Sequence, residues 1–352
     1  MISGLIDELL RIMTKNKASD LHLTAGVPPT IRIHGELVKM KGESLGPRDT
    51  EEIARQILSE EQMVKLLKGK EVDLCISKFD TGRFRINCFL QRGSIAMVFR
   101  YVNSEIPSFS ELKLPETLED ITKKTRGLFL VTGPTGSGKS TTLGAMIEAI
   151  NSERQCHIIT LEDPIEYMYK HKKSIINQRE IGADSKSFPT ALTAAMREDP
   201  DVILIGEMRD LETISTALTA AETGHLVLAT LHTTGAAKTI DRVIDIFPSY
   251  QQSQIRVQLS SILIGVFSQL LLPRIDTSGR ILAYEMMLAN PAIRNLIREN
   301  KTYQILSVMQ TNVKAGMVTI DSQLIDLYKK GIISKDNVLM YCEDLEYVSK
   351  SI

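Results

Sequence analysis

The sequence predicts an α/β protein built in two parts, and three observations carry that reading. Up to Val102, short apolar segments are punctuated by glycine and proline; a proline-containing stretch without periodicity follows; and from Leu128 onward strand-like and helical segments alternate.

From Gly4 to Lys15, Leu5, Ile6, Leu9, Leu10 and Met13 recur at helical spacing. Leu21–Leu23, Thr30–Ile33 and Glu36–Lys39 read as strands, separated by Gly26, Pro28, Pro29 and Gly35. Asp49–Lys68 returns to helix. Further strands are expected at Val72–Ser77, Arg83–Arg92 and Ser94–Tyr101, the last two joined in a hairpin at Gly93. Residues 1–102 thus make a small α+β domain, and residues 103–115, NSEIPSFSELKLP, a linker. In residues 116–352 strands are expected at Leu128–Thr132, His157–Leu161, Val202–Gly206 and His225–Leu231. Helices are expected from Lys139, at Pro189–Arg197 and at Leu211–Glu222, which together give a parallel sheet covered by helices. From Asp241 onward the pattern is helical, apart from a hairpin around Gly279. The apolar run Ile262–Leu272 is shorter than the roughly 20 residues of a membrane span and is read as a buried helix.

Composition narrows the function. The 352 residues are 43% hydrophobic and 24% charged, with a net charge of -1 and no block of like charges. A general nucleic-acid binder needs a basic excess to neutralise phosphates, so no stable nucleic-acid partner is expected. Cys75, Cys88, Cys156 and Cys342 lie far apart and form no CxxC pair, which points to reduced thiols rather than zinc or a disulfide framework. The N-terminus carries acids early and does not read as a signal peptide.

Four stretches carry chemistry. Gly133, Pro134, Thr135, Gly136, Ser137, Gly138, Lys139, Ser140 and Thr141 fit the P-loop pattern between an apolar strand and a helix. In such a loop the backbone N–H groups turn toward phosphate, Lys139 reaches the β and γ oxygens, and Ser140 can ligate magnesium. Glu207 follows the strand Val202–Gly206, where an acid can hold magnesium or its water shell and orient an attacking water. Its bland alternative is a solvated strand-end carboxylate. Glu162, Asp163 and Glu166 follow another strand, and such crowding costs repulsion unless a cation or phosphate chemistry uses it. An exposed turn at Asp163-Pro164 is the competing explanation. His225 and His232 flank the strand Leu226–Leu231; one at its tip could sense a γ-phosphate, although a strand-end histidine is more often structural.

Taken in order, GPTGSGKST, ITLEDPIEY, ILIGEMRD and GHLVLATLHT resemble the Walker A, Asp box, Walker B and His box of the secretion ATPases that drive type II secretion and type IV pili. The resemblance runs from the SDLHL at Ser19 to the C-terminus. AIRNLIRE, Ala292 to Glu299, resembles the motif of the pilus-retraction (PilT-like) branch, and the sequence lacks the four-cysteine zinc module expected of the extension and secretion relatives.

That resemblance implies a homohexameric ring motor for pilus retraction and twitching motility. Its N-terminal PAS-like domain would pack on the RecA-like P-loop domain of the next subunit, with ATP and magnesium between them. Glu207 would support magnesium, and Glu166 or Glu162 would activate water, with Asp163 a third contender. His232, and less directly His225, would sense the γ-phosphate. Arg83, Arg85 and Arg100 would complete the site, with Arg209 a weaker candidate. Arg83 and Arg85 alternate onto one strand face and Arg100 ends the neighbouring strand, where solvated edge arginines are the plain alternative.

Just before AIRNLIRE, Asn290 and Pro291 suit a helix start; within it Ala292, Ile293, Leu296 and Ile297 form an apolar face, and Arg294 and Arg298 share the other, whose plain reading is a solvated face. The resemblance gives Arg294, Asn295, Arg298 and Glu299 a part in coupling hydrolysis to an inner-membrane pilus platform protein of the PilC type. It also implies a cytoplasmic, membrane-peripheral location. Competing classes are an accessory paralogue of the PilU type, a DNA-translocating ring ATPase, a non-catalytic nucleotide-gated scaffold, which would be expected to lose Lys139 or Glu207, and a small-molecule kinase.

Overall fold

The computed structural model describes residues 4–33, 35–78, 81–102, 105–277 and 279–352. It divides into two units, residues 1–105 with 166–168 and residues 106–165 with 169–352.

The first unit holds helices α1 (Leu5–Lys15), α2 (Pro47–Ile57) and α3 (Glu60–Leu67), and strands β1 (Asp20–Leu23), β2 (Thr30–Ile33), β3 (Glu36–Lys39), β4 (Val72–Lys78), β5 (Gly82–Gln91) and β6 (Ser94–Val102). The strands form one antiparallel sheet in the order β3-β2-β1-β6-β5-β4. Strand alternation sends Leu21, Ile31, Phe84, Ile86 and Phe99 to one face, where they are buried with Leu9, Leu10, Met13, Ile53 and Leu66 of the helices. On the other face one cross-strand row reads Cys75, Arg85, Arg100, Asp20, Arg32 and Leu37. Arg83, two residues from Arg85, shares that face. Asp20, 5% exposed, accepts from Arg100 Nε at 2.9 Å and lies 3.9 Å from Arg32 Nε. The helix expected over 49–68 is two helices, because Ser59 and Gln62 form a capping box that restarts it: Gln62 N donates to Ser59 Oγ at 3.2 Å and Ser59 N to Gln62 Oε1 at 2.9 Å.

Two residues of the expected linker, Asn103 and Ser104, lie outside the described residues. The rest of it is not featureless, since Ser108 caps a short helix α4 (Phe109–Leu112), and α5 (Glu116–Thr122) follows. The second unit continues with β7 (Gly127–Thr132), α6 (Lys139–Glu153), β8 (His157–Glu162), β9 (Ile175–Glu180), α7 (Phe188–Ala195), β10 (Val202–Ile205), α8 (Leu211–Glu222) and β11 (Leu226–Leu231). Then come α9 (Ala236–Asp245), α10 (Ser249–Ile262), β12 (Leu263–Pro273), β13 (Arg280–Leu288), α11 (Pro291–Arg298), α12 (Ile305–Thr311), α13 (Ile320–Lys329), α14 (Lys335–Tyr341) and α15 (Leu345–Ser351).

The sheet order is β13-β12-β7-β11-β10-β8-β9, with every neighbouring pair parallel except β12 and β13. The central strands are apolar throughout because helices cover both faces. Leu128, Leu130, Ile203, Ile205, Val227 and Ala229 pack toward α7, α8, α9 and α10, whereas the alternate residues Phe129, Val131, Leu204 and Leu228 pack toward α5 and α6.

The Ile262–Leu272 run is a correction. Only Ile262 ends a helix; Leu263–Pro273 is a strand, parallel to β7 and antiparallel to β13 across the turn near Gly279. Apolar runs buried on both sides carry no period that separates strand from helix. Gly265 fits the strand for a steric reason, since a Cβ there would come within 2.5 Å of the Met287 carbonyl across the pair. The edge strand β9, polar at Asn177, Gln178 and Arg179, was likewise not anticipated.

Candidate nucleotide site

The carboxyl ends of β7, β8, β10 and β11 open on one edge of the sheet, the edge where parallel α/β sheets bind ligands. The loop from Gly133 to Gly138 joins β7 to α6. Gly133, Gly136 and Gly138 all have positive φ, at 140°, 78° and 90°. A side chain at Gly133 would also meet the Gln269 carbonyl at 2.2 Å, so the loop takes its shape only with glycine there.

Lys139 is half-buried at the start of α6, and its Nζ donates to the carbonyls of Gly133 at 2.8 Å and Pro134 at 3.1 Å. Burial lowers its pKa, while the nearby Glu207 carboxylate opposes that shift. Ser137 is 2% exposed, and among the described residues its hydroxyl has no hydrogen-bond partner. A glycine-lined loop at a helix N-terminus with an orphaned hydroxyl and a lysine turned onto its own carbonyls fits a bound polyphosphate. Ser140, exposed on the first turn of α6, and the Glu207 carboxylate are hard oxygen donors suited to magnesium, which takes one or two protein ligands beside phosphate and water.

Glu207 stands just past β10, held by backbone bonds on both sides. Gly206 N donates to Leu161 O at 2.7 Å, Met208 N to Thr230 O at 3.1 Å, and Thr230 Oγ1 to Gly206 O at 2.5 Å. Its Oε1 accepts from Arg209 Nε at 2.5 Å and lies 3.0 Å from His232 Nε2. Burial works to raise this carboxyl, but the Arg209 hydrogen bond and the His232 contacts outweigh it and hold the pKa below the ordinary carboxylate range. His232 Nδ1 is 3.5 Å from Thr135 Oγ1, so the imidazole bridges the P-loop and Glu207.

Other sequence-predicted residues separate. His225 sits at the opposite end of β11, its Nδ1 2.8 Å from the Ala220 carbonyl. Because β11 is parallel to β7, that end lies beside Gly127 rather than the P-loop, and His225 is removed from Lys139, Glu207 and His232 within this chain. Glu162 is 8% exposed and accepts from Thr160 Oγ1 at 2.6 Å and Gln178 Nε2 at 3.3 Å, which ties β8 to β9. Asp163 and Glu166 are exposed, and the Asp163 charge is felt by Arg209. Arg83, Arg85 and Arg100 lie together on the outer sheet face of the first unit.

Arg294 departs from the solvated face expected of it. Its Nη1 donates to the carbonyls of Ser260 and, at 2.7 Å, Ser261, and its Nη2 to Leu263 O at 2.8 Å. It closes the C-terminus of α10, where carbonyls lack helical partners and a cation is favoured. Burial lowers its pKa, with Arg298 adding to the effect. Arg298 stays exposed, while Asn295 Nδ2 donates to Glu299 Oε1 at 3.0 Å and Lys301 Nζ to Glu299 Oε2 at 2.7 Å.

Sequence reasoning missed Gln269. This residue of β12 is 1% exposed, donates through Nε2 to Ser137 O at 2.5 Å and accepts through Oε1 from Thr142 Oγ1 at 2.9 Å. It clamps the P-loop to the first turn of α6. The available signal was a lone glutamine inside the apolar run ILIGVFSQLLL.

A family model described as type II/IV secretion system protein matches residues 1–339. The chain belongs to this family. Similar members of the secretion system family include the type IV pilus retraction ATPase PilT of Pseudomonas aeruginosa, 47% identical over 94% of this chain and 96% of its own length. A twitching motility protein of Neisseria gonorrhoeae is 45% identical over 96% of this chain and 92% of its own length. Among solved structures, the pilus retraction motor PilT with bound ADP superposes with a TM-score of 0.89 at 50% identity, covering 99% of this chain and 98% of that one. Among the described residues, no helix is long and apolar enough to cross a membrane.

Proposed function

We propose that this chain is an ATP-hydrolysing motor that powers type IV pilus retraction. The observation that carries the proposal is the meeting of Lys139, Glu207 and His232 at one edge of the sheet, in a chain similar over nearly its whole length to retraction ATPases. Lys139 gives up the Gly133 and Pro134 carbonyls for the β and γ oxygens of ATP, and the loop N–H groups cradle the phosphates. Ser140 and Glu207 would hold magnesium, which when bound neutralises charge on the phosphate oxygens. Glu207, kept ionised by Arg209 and His232, orients the attacking water. His232 reports whether a γ-phosphate is present, because it spans the P-loop and Glu207. Glu162, Asp163 and Glu166 stay candidate bases, Glu162 being the one that accepts hydrogen bonds from Thr160 and Gln178.

The assembly proposed with it is a homohexamer, in which Arg83, Arg85 and Arg100 of one subunit complete the site of another. Their clustering on one sheet face of the first unit supports that. The platform partner proposed is an inner-membrane protein of the PilC type, which this chain would meet from the cytoplasm as a peripheral protein at the cytoplasmic face of the inner membrane. Deleting the gene tests the function: long pili that fail to retract are expected, with twitching lost and restored by the wild-type chain. Retraction at full force without this chain would overturn the motor role.

A further inference from the structure

The loop that leaves His232 is fastened by residues that the nucleotide motifs do not include. Three residues after His232, Gly235 N donates to Ser268 Oγ at 2.9 Å, and Ala236 N, the first of α9, donates to Glu285 Oε1 at 2.6 Å. Ser268 and Glu285 face each other across the β12–β13 pair, so both anchors belong to one pair of neighbouring strands. Ser268 is also the neighbour in sequence of Gln269, which clamps the P-loop from the same strand.

Glu285 is 3% exposed and does not stop at α9. Its other oxygen accepts from Ile320 N at 3.4 Å, the first residue of α13. One carboxylate therefore serves the N-termini of two helices that lie 84 residues apart (320 minus 236) along the chain. The connection continues outward. Lys238 Nζ in α9 donates to Glu343 Oε1 at 2.9 Å, and Asp321 in α13 accepts from the backbone N–H groups of Glu343 at 2.7 Å and Asp344 at 3.0 Å. The charged groups facing Glu285 are thus Glu343, Asp321 and, through α9, Lys238.

We propose that Glu285 is a positioning residue for His232: its carboxylate fastens the loop after His232 to residues 320–351, so the imidazole's place at the nucleotide depends on the C-terminal helices. Packing alone does not account for this side chain. Burial pushes its carboxyl up to about 7 against the pull of the Ala236 N–H, so keeping an acid at this place carries a cost a leucine would avoid. What the carboxylate supplies is two acceptors aimed at two separate helix starts. The span from His232 to Ala236 is short and further braced, with Thr239 Oγ1 2.7 Å from both the Gly235 carbonyl and Thr233 Oγ1. Displacement at Ala236 has little slack in which to dissipate before it reaches His232. The same tie runs in reverse, so movement of His232 toward a γ-phosphate pulls on α13.

This inference rests on His232 acting at the nucleotide, and a double-mutant cycle on the full-length assembled protein separates the two claims. Glu285→Gln keeps shape but offers only one accepting oxygen, leaving a donor against Ala236 N or Ile320 N. Its kcat is expected to fall on the order of tenfold, within the hundredfold that a misplacement of about 1 Å can cost, with the KM for ATP within about twofold. In a His232→Ala background the same change should cost no further turnover, because its effect passes through the imidazole. Unchanged kcat in Glu285→Gln, or losses that multiply in the double mutant, would overturn the positioning role. Normal turnover in His232→Ala would instead sink the reading of His232. Should Glu285→Gln fail to fold, Ser268→Ala removes only the Gly235 anchor and runs through the same cycle, with the same two outcomes.

Discussion

At the carboxyl end of β11, His232 stands 3.0 Å from Glu207 and 3.5 Å from Thr135 Oγ1; at the other end, His225 is turned onto the Ala220 carbonyl at 2.8 Å. The two histidines bracket the same six-residue strand and look alike in sequence. At a strand rise of about 3.3 Å per residue they are separated by roughly 23 Å. Only one of them reaches the loops that follow parallel strands, where ligands bind in such sheets. The difference teaches that strand polarity, more than residue type, decides which of the two histidines stands beside the P-loop and Glu207.

That comparison can be broken in several ways. The largest effect is expected at the P-loop itself: Lys139→Ala should lower ATP turnover on the order of 10³-fold, as the loss of a preorganised transition-state donor does, without change in thermal unfolding beyond about 1 kcal/mol. Next comes the histidine pair. His232→Ala should cost roughly 10- to 100-fold in kcat, whereas His225→Ala should leave kcat within about twofold and show its effect only in stability. Equal losses in both would mean that strand polarity has been misjudged, or that His225 acts on a neighbouring subunit.

A smaller contrast lies in α11. Arg294→Ala removes a guanidinium that donates to three carbonyls ending α10, and should cost about 1–3 kcal/mol of stability. Arg298→Ala, at an exposed position, should change stability by no more than about 0.5 kcal/mol. Arg298 is thus the cleaner probe of coupling. If retraction falls in Arg298→Ala while ATP turnover holds, the exposed edge of α11 carries the contact; a stability loss equal to that of Arg294→Ala would contradict the assignment of Arg294 as the helix closure.

Much of this was legible in the sequence for identifiable reasons. The P-loop is constrained by glycine sterics and by its place between strand and helix, so its pattern survives without context. Glu207 could be read because it ends an apolar strand. The first unit's strands were legible from period-two patterning, since one face is buried and the other is open. What escaped shares a different cause. The run Leu263–Pro273 is buried on both sides and shows no period, so its strand, its Gln269 clamp and its Ser268 anchor were all hidden together. Arg294 was read as solvated because helical spacing places it away from Ile293 and Ile297. Spacing does not reveal that the end of another helix occupies that side. His225 and His232 could have been told apart by strand direction alone.

The most direct test of the account is the turnover of Glu207→Gln in the assembled protein, with nucleotide binding measured on the same sample. Glutamine keeps the volume and removes the charge that Arg209 and His232 hold in place. The account predicts ATP bound within a few-fold of the wild-type affinity and magnesium-dependent hydrolysis reduced on the order of 10²-fold or more. Hydrolysis near the wild-type rate with nucleotide bound would contradict it.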